Sequence, residues 1–373
     1  MKINSEPKLD FDDVLLVPQR TKTSSRLNIK LERNFTFYHS LSKWDGIPIF
    51  AANMDSVGTV KMSQALSNFS IPTCLHKHYG NNYLCDNLKN IEYQWYTLGI
   101  KSYDLDNFKS FIDKSEFIPN ICVDVANGYT DDFVNFCRDL RNTVGSKPVI
   151  MAGNVCTPEM VQELILHGGI DIVKVGIGPG SACTTRLKTG VGFPQLSAII
   201  ECSHAAHGLK SGKGRLGLIC SDGGCRTPAD ICKAFSAGAD FVMLGGMLAG
   251  TDECDGDWEW AHYKKNMYGE LSEIESYSAQ DSSDDIVFRK KCFRFYGMSS
   301  HNAQLKYGGV KDYRASEGRV KSIPYKGRVS KIIEDILGGL RSSCSYIGAT
   351  SLKDMSKCAE FNLVNRTHFD QSV

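Results

Sequence analysis

The chain has 373 residues, and its 43 Lys and Arg nearly balance its 42 Asp and Glu, giving a formal net charge of +1. This length can bury the core of one large α/β domain, and the lack of a basic stripe or of about 18 consecutive apolar residues argues against nucleic acid and membrane as partners. The 14 cysteines include no Cys-x-x-Cys pair, which gives a zinc cluster little support and indicates reduced thiols rather than a disulfide scaffold.

The first 45 residues stand outside the alternation of apolar runs that begins at residue 47. They are predicted to form an arm that packs across the main fold, with LDFDDVLLVP at residues 9–18 as its one apolar anchor. The opening stretch MKINSEPKLDFDD is polar and acidic. Because it lacks the apolar run of a signal peptide, the expected location is the cytoplasm.

Eight short apolar or β-branched runs then alternate with amphipathic stretches. These runs carry few charges, as expected of strands in a parallel sheet that helices cover on both faces. Eight such strands predict a closed (β/α)8 TIM barrel, a fold of about 250 residues. The predicted strands cover residues 47–54, 71–78, 95–100, 121–127, 148–154, 171–178, 215–224 and 240–246.

Two segments of the second half share one plan, which supports the barrel. Residues 151–178 and 220–246 each read strand, Gly, Thr-Pro, helix, Gly, Asp, strand, Gly. Thr157 and Thr227 are the predicted N-caps, each followed by proline at the first helical position. They lie 70 residues apart, about two βα units, which favours successive barrel modules. A doubly wound open sheet would also give single repeats of this kind.

Residues 251–290 interrupt the pattern after the eighth strand. Their tail is rich in Ser, Asp and Glu, so we predict a solvated, mobile insertion within a single domain that spans residues 1–373. Aromatic residues at 258, 260, 263 and 268 are expected to pin its first half. The chain then returns through FYGMSS and YRASEG, predicted to form an active-site flap, to the helix VSKIIEDILGGLRSS, which would complete the eighth βα unit.

Three glycine-rich turns follow strands six, seven and eight: GIGPGS, SDGG and LGG. Barrel enzymes place their sites at the carboxyl ends of the strands, and their recurrent phosphate site lies between the loops after strands seven and eight. Glycines can also simply end strands, but three such turns on one rim favour a phosphate site. The candidate residues are Ser181, Gly223, Gly224, Gly245 and Gly246.

Cys183 lies in VGIGPGSACTTR, where its neighbours are small or polar rather than the large apolar residues that surround a structural cysteine. A thiolate is a strong nucleophile once nearby donors or positive charge lower its pKa, and an exposed glycine-rich loop provides suitable surroundings. The alternative is a spectator thiol, the interpretation that we favour for most of the other cysteines. Carbonyl oxygens of the same loop could also hold a hard cation.

Several motifs in a fixed order resemble the IMP dehydrogenase/GMP reductase family: VGIGPGSACTTRLKTGVGFPQLSAIIEC, CSDGG, FVMLGG, YGMSS, YRASEG and IPYKG. The resemblance covers roughly residues 8–350 apart from the acidic insertion. It implies a (β/α)8 barrel that acts at C2 of a purine nucleotide and assembles as a homotetramer.

Within this family, the sequence resembles the reductase branch, which converts GMP to IMP and ammonia with NADPH. Only residues 79–119 separate the second and fourth predicted strands, which leaves no room for the regulatory CBS domain of the dehydrogenases. The flap also lacks their Arg-Tyr pair, whereas YRASEG, SSR at 24–26 and LHKH match the reductase pattern. Two alternatives remain: an IMP dehydrogenase without a CBS domain, and a nucleotide-binding barrel that does not catalyse.

The resemblance also implies roles for individual residues. Cys183 would attack C2 and form a thioimidate, with Thr185 and Glu317 as the proton-transfer pair, and Asp222 would hold the ribose hydroxyls. The remaining nucleotide contacts would be Ser181, Gly223, Gly224, Gly245, Gly246, Gly297, Met298, Ser299, Arg314, Ala315, Ser316 and Gly318.

The same resemblance implies a cofactor and an ion. NADPH would contact Ser25, Arg26, Lys77, Asp124, Val125, Ala126, Met298, Tyr313 and Arg314, with Ser342, Ser343, Cys344 and Ser345 reaching it from a neighbouring subunit. Without the resemblance, Arg26, Lys77 and Glu317 would be read as ordinary surface charges. Potassium would bind the carbonyls of Gly178, Gly180 and Cys183, with Arg186 adjacent.

Overall fold

Eight parallel strands close into a barrel in the computed structural model, which describes residues 3–212, 214–266, 268–275, 286–309, 313 and 315–364. Each barrel strand pairs with the next along the chain, and the eighth returns to the first. The predicted (β/α)8 barrel is therefore confirmed, with one strand in each of the eight predicted positions. Strands β1 to β8 are Ile49–Ala51, Thr73–Cys74, Gln94–Leu98, Ile121–Asp124, Ile150–Val155, Ile172–Val175, Leu218–Asp222 and Phe241–Leu244.

Helices alternate with these strands and cover the outside of the barrel. Thr157 and Thr227 are N-caps as predicted, each followed by a proline. Among the described residues, no helix combines the length and the apolar character needed to cross a membrane. Helices α1 to α11 are Val60–Ser67, Asn81–Asn87, Ser102–Ser115, Asp131–Val144, Pro158–Leu166, Thr185–Thr189, Gln195–Gly208, Pro228–Ser236, His301–Tyr307, Val329–Tyr346 and Met355–Cys358.

An N-terminal hairpin closes the lower end of the barrel, where the strands begin. Its strands, Arg33–Thr36 and Lys43–Gly46, are antiparallel. The rings of Phe35 and Trp44 lie 4.6 Å and 5.4 Å from the ring of Phe241 inside the barrel. Because large apolar side chains fill this end, only the opposite mouth, at the carboxyl ends of the strands, is open to a ligand.

The predicted N-terminal arm packs along the outside of the barrel. Phe11 and Val14 are buried, and the carbonyl of Phe11 accepts a 2.9 Å hydrogen bond from the Lys233 ammonium. The short strand Val14–Leu16 pairs with Phe361–Leu363, so the two ends of the described chain meet.

The chain after β8 forms a four-stranded antiparallel sheet rather than a wholly solvated insertion. Its strands are β9 (Trp258–Lys265), β10 (Leu271–Ile274), β11 (Ile286–Tyr296) and β12 (Val320–Pro324), in the order β10-β9-β11-β12. The prediction of a solvated insertion at 251–290 was wrong for the described strands, whereas the expectation that aromatic residues pin its first half holds for Trp258, whose ring lies 4.8 Å from that of Phe293. The most acidic stretch, residues 276–285, lies outside the described residues.

Candidate active site

A cavity of about 260 Å³ opens at the mouth of the barrel beneath the flap, which we define as the described residues 297–309, 313 and 315–319. Residues at or just beyond the carboxyl ends of six barrel strands contribute to its wall, so residues far apart in sequence meet here. The cavity brings together these predicted site residues: Asp124, Val125, Ala126, Gly178, Gly180, Ser181, Cys183, Thr185, Asp222, Gly223, Gly224, Gly245, Gly246, Gly297, Met298, Ser299 and Glu317.

Cys183, Thr185 and Glu317 form a connected series at this cavity. The Cys183 sulfur lies 3.1 Å from the Thr185 hydroxyl oxygen, and that hydroxyl donates a 2.7 Å hydrogen bond to Oε2 of Glu317. The Thr184 amide also donates to the carbonyl of Glu317, at 2.9 Å. A thiol, a hydroxyl and a carboxylate in this sequence can pass a proton between the sulfur and the carboxylate.

The sulfur of Cys183 is better suited to nucleophilic attack than that of Cys225, the second cysteine that lines the cavity. Burial raises the pKa of Cys225 well above its usual value, so this thiol stays protonated and is a poor nucleophile. Both cysteines are half-buried, but Cys183 has the Thr185 hydroxyl beside its sulfur, at 3.1 Å.

The end of the flap is hydrogen-bonded to the Cys183 loop. The Arg319 amide donates to the carbonyl of Ala182 at 2.9 Å, and the Arg319 guanidinium donates to the carbonyl of Ser181. Gly318 forms β-bridges with Cys183 and Ser300, and a Cβ at this position would lie 2.8 Å from the Cβ of Ser300. Gly318 therefore allows the close approach that holds Glu317 near Thr185.

The glycine turns on the other side of the cavity leave its wall without side chains at four positions. Gly223 and Gly224 have φ values of +87° and +89°, a conformation that favours glycine. A Cβ on Gly245 would lie 2.9 Å from the Met54 sulfur, and one on Gly246 would lie 3.0 Å from the Ser181 hydroxyl. The absence of side chains leaves main-chain groups and the Ser181 hydroxyl to face a ligand.

A buried ammonium group that the sequence analysis missed lies at the floor of the cavity. Lys174 on β6 has a side chain only 1% exposed; its Nζ contacts the Asp124 carboxylate and lies 3.3 Å from Oδ2 of Asp222. The amide of Asn154 donates to the same Asp222 oxygen at 2.9 Å. The sequence did contain a signal for this group, because Lys174 lies between two valines in an apolar strand. A charge buried in such a strand requires a partner of opposite charge.

The pKa directions agree with a charged cluster. Burial alone would lower the pKa of Lys174, but the Asp124 and Asp222 carboxylates raise it well above its usual value. Burial alone would raise the pKa of Asp124, but the nearby Lys174 ammonium has the larger effect, so the pKa of Asp124 is lowered. Asp124 is thus ionised at neutral pH and can accept a hydrogen bond from a ligand hydroxyl.

Ser25 and Arg26 do not line the cavity. Ser25 caps a 3₁₀ turn, Arg26–Asn28, and the Arg26 guanidinium lies 6.0 Å from the ring of Tyr346 at the end of α10. The stretch Ser342, Ser343, Cys344 and Ser345 belongs to the same end of α10. Because barrel helices run opposite to the strands, this end of α10 lies away from the mouth, so within one chain Ser25, Arg26 and residues 342–345 are separated from the cavity.

Those of the other predicted cofactor contacts that the structure describes lie around the mouth. Lys77 is exposed beside a neighbouring cavity of about 390 Å³ that also includes Asp104. Tyr313 is 84% exposed, and Arg314 lies outside the described residues. Ala315 and Ser316 precede Glu317 in the flap without lining the cavity.

The predicted cation site rests on main-chain oxygens. Gly178 and Gly180 lie in the Cys183 loop, and the Arg186 side chain packs on Gly178, as expected. The Arg186 guanidinium itself bonds to Asp10 at 3.0 Å and to the carbonyl of Phe193 at 2.5 Å. No group of three or more His, Cys, Asp or Glu side chains in the described part of the chain is arranged to hold a metal ion.

Comparisons with known proteins agree with this geometry. A family model described as "IMP dehydrogenase / GMP reductase domain" matches residues 98–372. Three proteins named "GMP reductase", from Yersinia enterocolitica serotype O:8, Yersinia pestis strain Pestoides F and Yersinia pseudotuberculosis serotype O:1b, are each 47% identical to this chain over 367 residues. The matched region covers 97% of this chain and 96% of each relative.

Proposed function

The chain belongs to the IMP dehydrogenase/GMP reductase family, and on this premise we propose that it is an oxidoreductase that converts GMP to IMP and ammonia at the expense of NADPH. The single observation that carries the proposal is the series Cys183–Thr185–Glu317 at the mouth of the barrel. A nucleophilic sulfur joined to a carboxylate through one hydroxyl can both attack a purine carbon and protonate a departing amine.

The first step forms a bond between the Cys183 sulfur and C2 of GMP. The thiol proton passes through the Thr185 hydroxyl to Glu317 as the sulfur adds to C2. The same route then returns the proton to the exocyclic nitrogen, the C2–N bond breaks, and ammonia leaves. A covalent thioimidate on Cys183 remains, and no proton has been gained or lost overall.

The second step replaces sulfur by hydrogen. A bound nicotinamide, held by Asp124, Val125, Ala126 and Met298, would supply the hydride that C2 requires. The C2–S bond then breaks with its electron pair returning to the Cys183 sulfur, and a solvent proton restores the thiol. The sum is GMP, NADPH and one proton giving IMP, NADP⁺ and ammonia. Exclusion of activated water at this stage suppresses hydrolysis of the thioimidate to XMP.

Substrate binding is proposed to use the rest of the cavity wall. Asp222, held by Lys174 and Asn154, would accept hydrogen bonds from the ribose hydroxyls. The phosphate would lie against Ser181, Gly223, Gly224, Gly245 and Gly246, and the base against Gly297, Met298, Ser299 and the segment containing Arg314, Ala315, Ser316 and Gly318.

The residues fit a dinucleotide cofactor in part. Asp124, Val125, Ala126 and Met298 line the cavity that contains Cys183, so they would hold the nicotinamide end. Lys77, Tyr313 and Arg314 would bind farther out, and cations such as Lys77 suit a phosphate.

Ser25 and Arg26 are proposed to bind the cofactor together with Ser342, Ser343, Cys344 and Ser345, contributed by a neighbouring subunit of a homotetramer. Potassium is proposed on the carbonyls of Gly178, Gly180 and Cys183, beside Arg186, because oxygen ligands suit a hard cation. No step above depends on the ion. The 14 unpaired cysteines are consistent with the proposed reducing cytoplasm.

A direct assay tests this function against its nearest alternative. The protein is mixed with GMP and NADPH, and separately with IMP and NAD, and the nicotinamide absorbance is followed. We expect the absorbance to fall in the first mixture, with IMP and ammonia as products, and not to rise in the second. A rise only in the second would identify an IMP dehydrogenase without its CBS domain, and no change in either would identify a barrel that binds nucleotide without catalysis.

A further inference from the structure

Asp55 is a buried carboxylate outside the cavity that receives three hydrogen bonds, one from Tyr296 just before the flap and two from residues of the flap. Its side chain is 2% exposed. Its Oδ2 accepts from the Tyr296 hydroxyl at 2.7 Å, the Lys306 ammonium at 3.0 Å and the Tyr307 hydroxyl at 2.8 Å. The other oxygen, Oδ1, has no hydrogen-bond partner among the described residues.

The three donors stand at the two ends of one segment. Tyr296 ends β11, and Lys306 and Tyr307 end α9. Between these ends lie Gly297, Met298 and Ser299, which line the cavity. A single oxygen atom therefore fixes both ends of a 12-residue segment, 296–307, that carries part of the cavity wall.

The stretch of chain that carries Asp55 also contributes to the cavity wall. Asn53 and Met54, directly before Asp55, line the cavity as well, so one short stretch of chain faces the cavity and holds the flap. Tyr307 has a second attachment to the barrel, because its ring stacks on that of His78 at 3.5 Å and 9°. His78 is adjacent to Lys77, one of the proposed cofactor contacts.

The charge state of Asp55 supports a persistent attachment. Burial would raise the pKa of Asp55, but hydrogen bonds from Tyr296, Lys306 and Tyr307 more than offset this and lower it. The carboxylate is therefore ionised throughout the neutral range. Hydrogen bonds to an ionised group are about twice as strong as those between neutral groups.

We propose that Asp55 is a positioning residue for the reaction: it holds both ends of residues 296–307 against the barrel and so fixes Met298 and its neighbours against bound GMP. Asp55 does not line the cavity and takes no part in bond making. The kinetic part of this inference rests on the proposed function, whereas the ordering of the segment does not.

The test compares Asp55→Asn with a matched variant at the other end of the barrel. Asp55→Asn keeps the size of the side chain and removes its charge. Asp240 is equally buried and also ion-paired, with His207 and Arg215 at the lower end, so Asp240→Asn controls for the loss of a buried carboxylate. Tyr296→Phe removes one donor and keeps the ring, which provides a milder variant if Asp55→Asn does not fold.

We expect Asp55→Asn to raise the KM for GMP on the order of tenfold, because residues 297–299 of the cavity wall would be misplaced. The fall in kcat should be smaller, because Cys183, Thr185 and Glu317 keep their arrangement. Tyr296→Phe should shift the KM in the same direction by a smaller factor. Asp240→Asn should lower the melting temperature and leave the KM within about twofold. An unchanged KM in both Asp55→Asn and Tyr296→Phe, or an equal rise in Asp240→Asn, would overturn the proposal.

Hydrogen exchange separates this inference from the proposed function. Amides of residues 297–307 should exchange on the order of tenfold faster in the ligand-free Asp55→Asn protein than in wild type, and should be unaffected by Asp240→Asn. If the wild-type chain does not reduce GMP, the proposed function fails, and the exchange result still decides whether Asp55 orders the segment. Equal exchange in all variants would refute that role.

Discussion

The Thr185 hydroxyl donates a 2.7 Å hydrogen bond to Glu317, a residue 132 positions later in the chain, and lies 3.1 Å from the sulfur of Cys183. Because the hydroxyl proton points to the carboxylate, its oxygen is free to accept a proton from the thiol. The arrangement thus favours transfer from sulfur towards Glu317 before attack, and the return of that proton to the amine afterwards. The sulfur and the carboxylate at the two ends of this series each lead to a separate prediction.

Replacing the sulfur should stop turnover without stopping substrate binding. Cys183→Ala removes the proposed nucleophile, so we expect kcat to fall on the order of 10⁴-fold or more while GMP still binds with a dissociation constant within about threefold of wild type. Calorimetry measures the binding, and coupled detection of IMP measures the turnover.

Cys225→Ala is the matched control, because it removes the other thiol of the same cavity and should retain turnover. Mass spectrometry of protein trapped with GMP should find the purine adduct on the peptide that contains Cys183. Sustained turnover in Cys183→Ala, or an adduct on Cys225, would contradict the covalent mechanism.

Replacing the carboxylate should affect the two chemical steps unequally. Glu317→Gln keeps the hydrogen bond from Thr185 and removes the proton carrier, so ammonia release should slow by about 10²- to 10³-fold. Hydride transfer to a preformed adduct needs no proton at the exocyclic nitrogen and should slow by less than about tenfold. Single-turnover measurements of ammonia and of nicotinamide absorbance separate the steps, and equal slowing of both would remove the proposed proton role.

Much of this site follows from local sequence patterns because its parts sit at strand ends. Cys183 stands out since a thiol among glycines and a proline has no reason to be structural, and Gly223 and Gly224 require the positive φ that other residues avoid. The eight strands are recognisable because a buried parallel sheet requires uninterrupted apolar runs.

Other parts depend on contacts that no local pattern encodes. Asp55 reads as one more loop carboxylate until Tyr296 and Tyr307, more than 240 residues later, are seen to bond to it. Residues 258–265 form a strand because cross-strand pairing with 286–296 compensates for their polar composition. Their partner strand is separated from them by the acidic tail, so composition alone favoured a solvated loop.

Lys174 supplies a prediction about stability and charge. Lys174→Met would leave the Asp124 and Asp222 carboxylates facing each other without a cation, and breaking a buried pair in this way costs about 3 kcal/mol. Urea unfolding at pH 7 measures this loss. Lys174→Arg, which keeps the charge, is the control and should lose much less.

The pH dependence distinguishes repulsion from lost packing in Lys174→Met. Facing carboxylates share a proton more readily than separated ones, so the pKa of one of them should rise above its unfolded value. A group with a raised pKa contributes stability as the pH falls, so the deficit of Lys174→Met relative to wild type should shrink between pH 7 and pH 5. A deficit independent of pH would assign the effect to the cavity left by the side chain.

The histidines beside the flap make the fold sensitive to mild acid. Burial lowers the pKa of His76 to about 4. Burial, together with the charge of Lys77, also lowers the pKa of His78 to about 4. The Asp55 carboxylate opposes both shifts, and the Lys306 ammonium adds to them. In the unfolded chain both titrate near 6.5. Between about pH 6.5 and pH 4 the unfolded state therefore binds more protons, and stability should fall as the pH falls through this window.

We expect the melting temperature to decrease from pH 7 to pH 5 and this decrease to be smaller in His78→Phe, which keeps the ring stack on Tyr307 but cannot be protonated. His204→Asn is the control, because it replaces an exposed histidine on α7, outside the flap. Thermal unfolding of the three proteins in matched ionic strength measures the slopes. If His78→Phe loses as much stability in acid as wild type, protonation beside the flap is not what destabilises the fold.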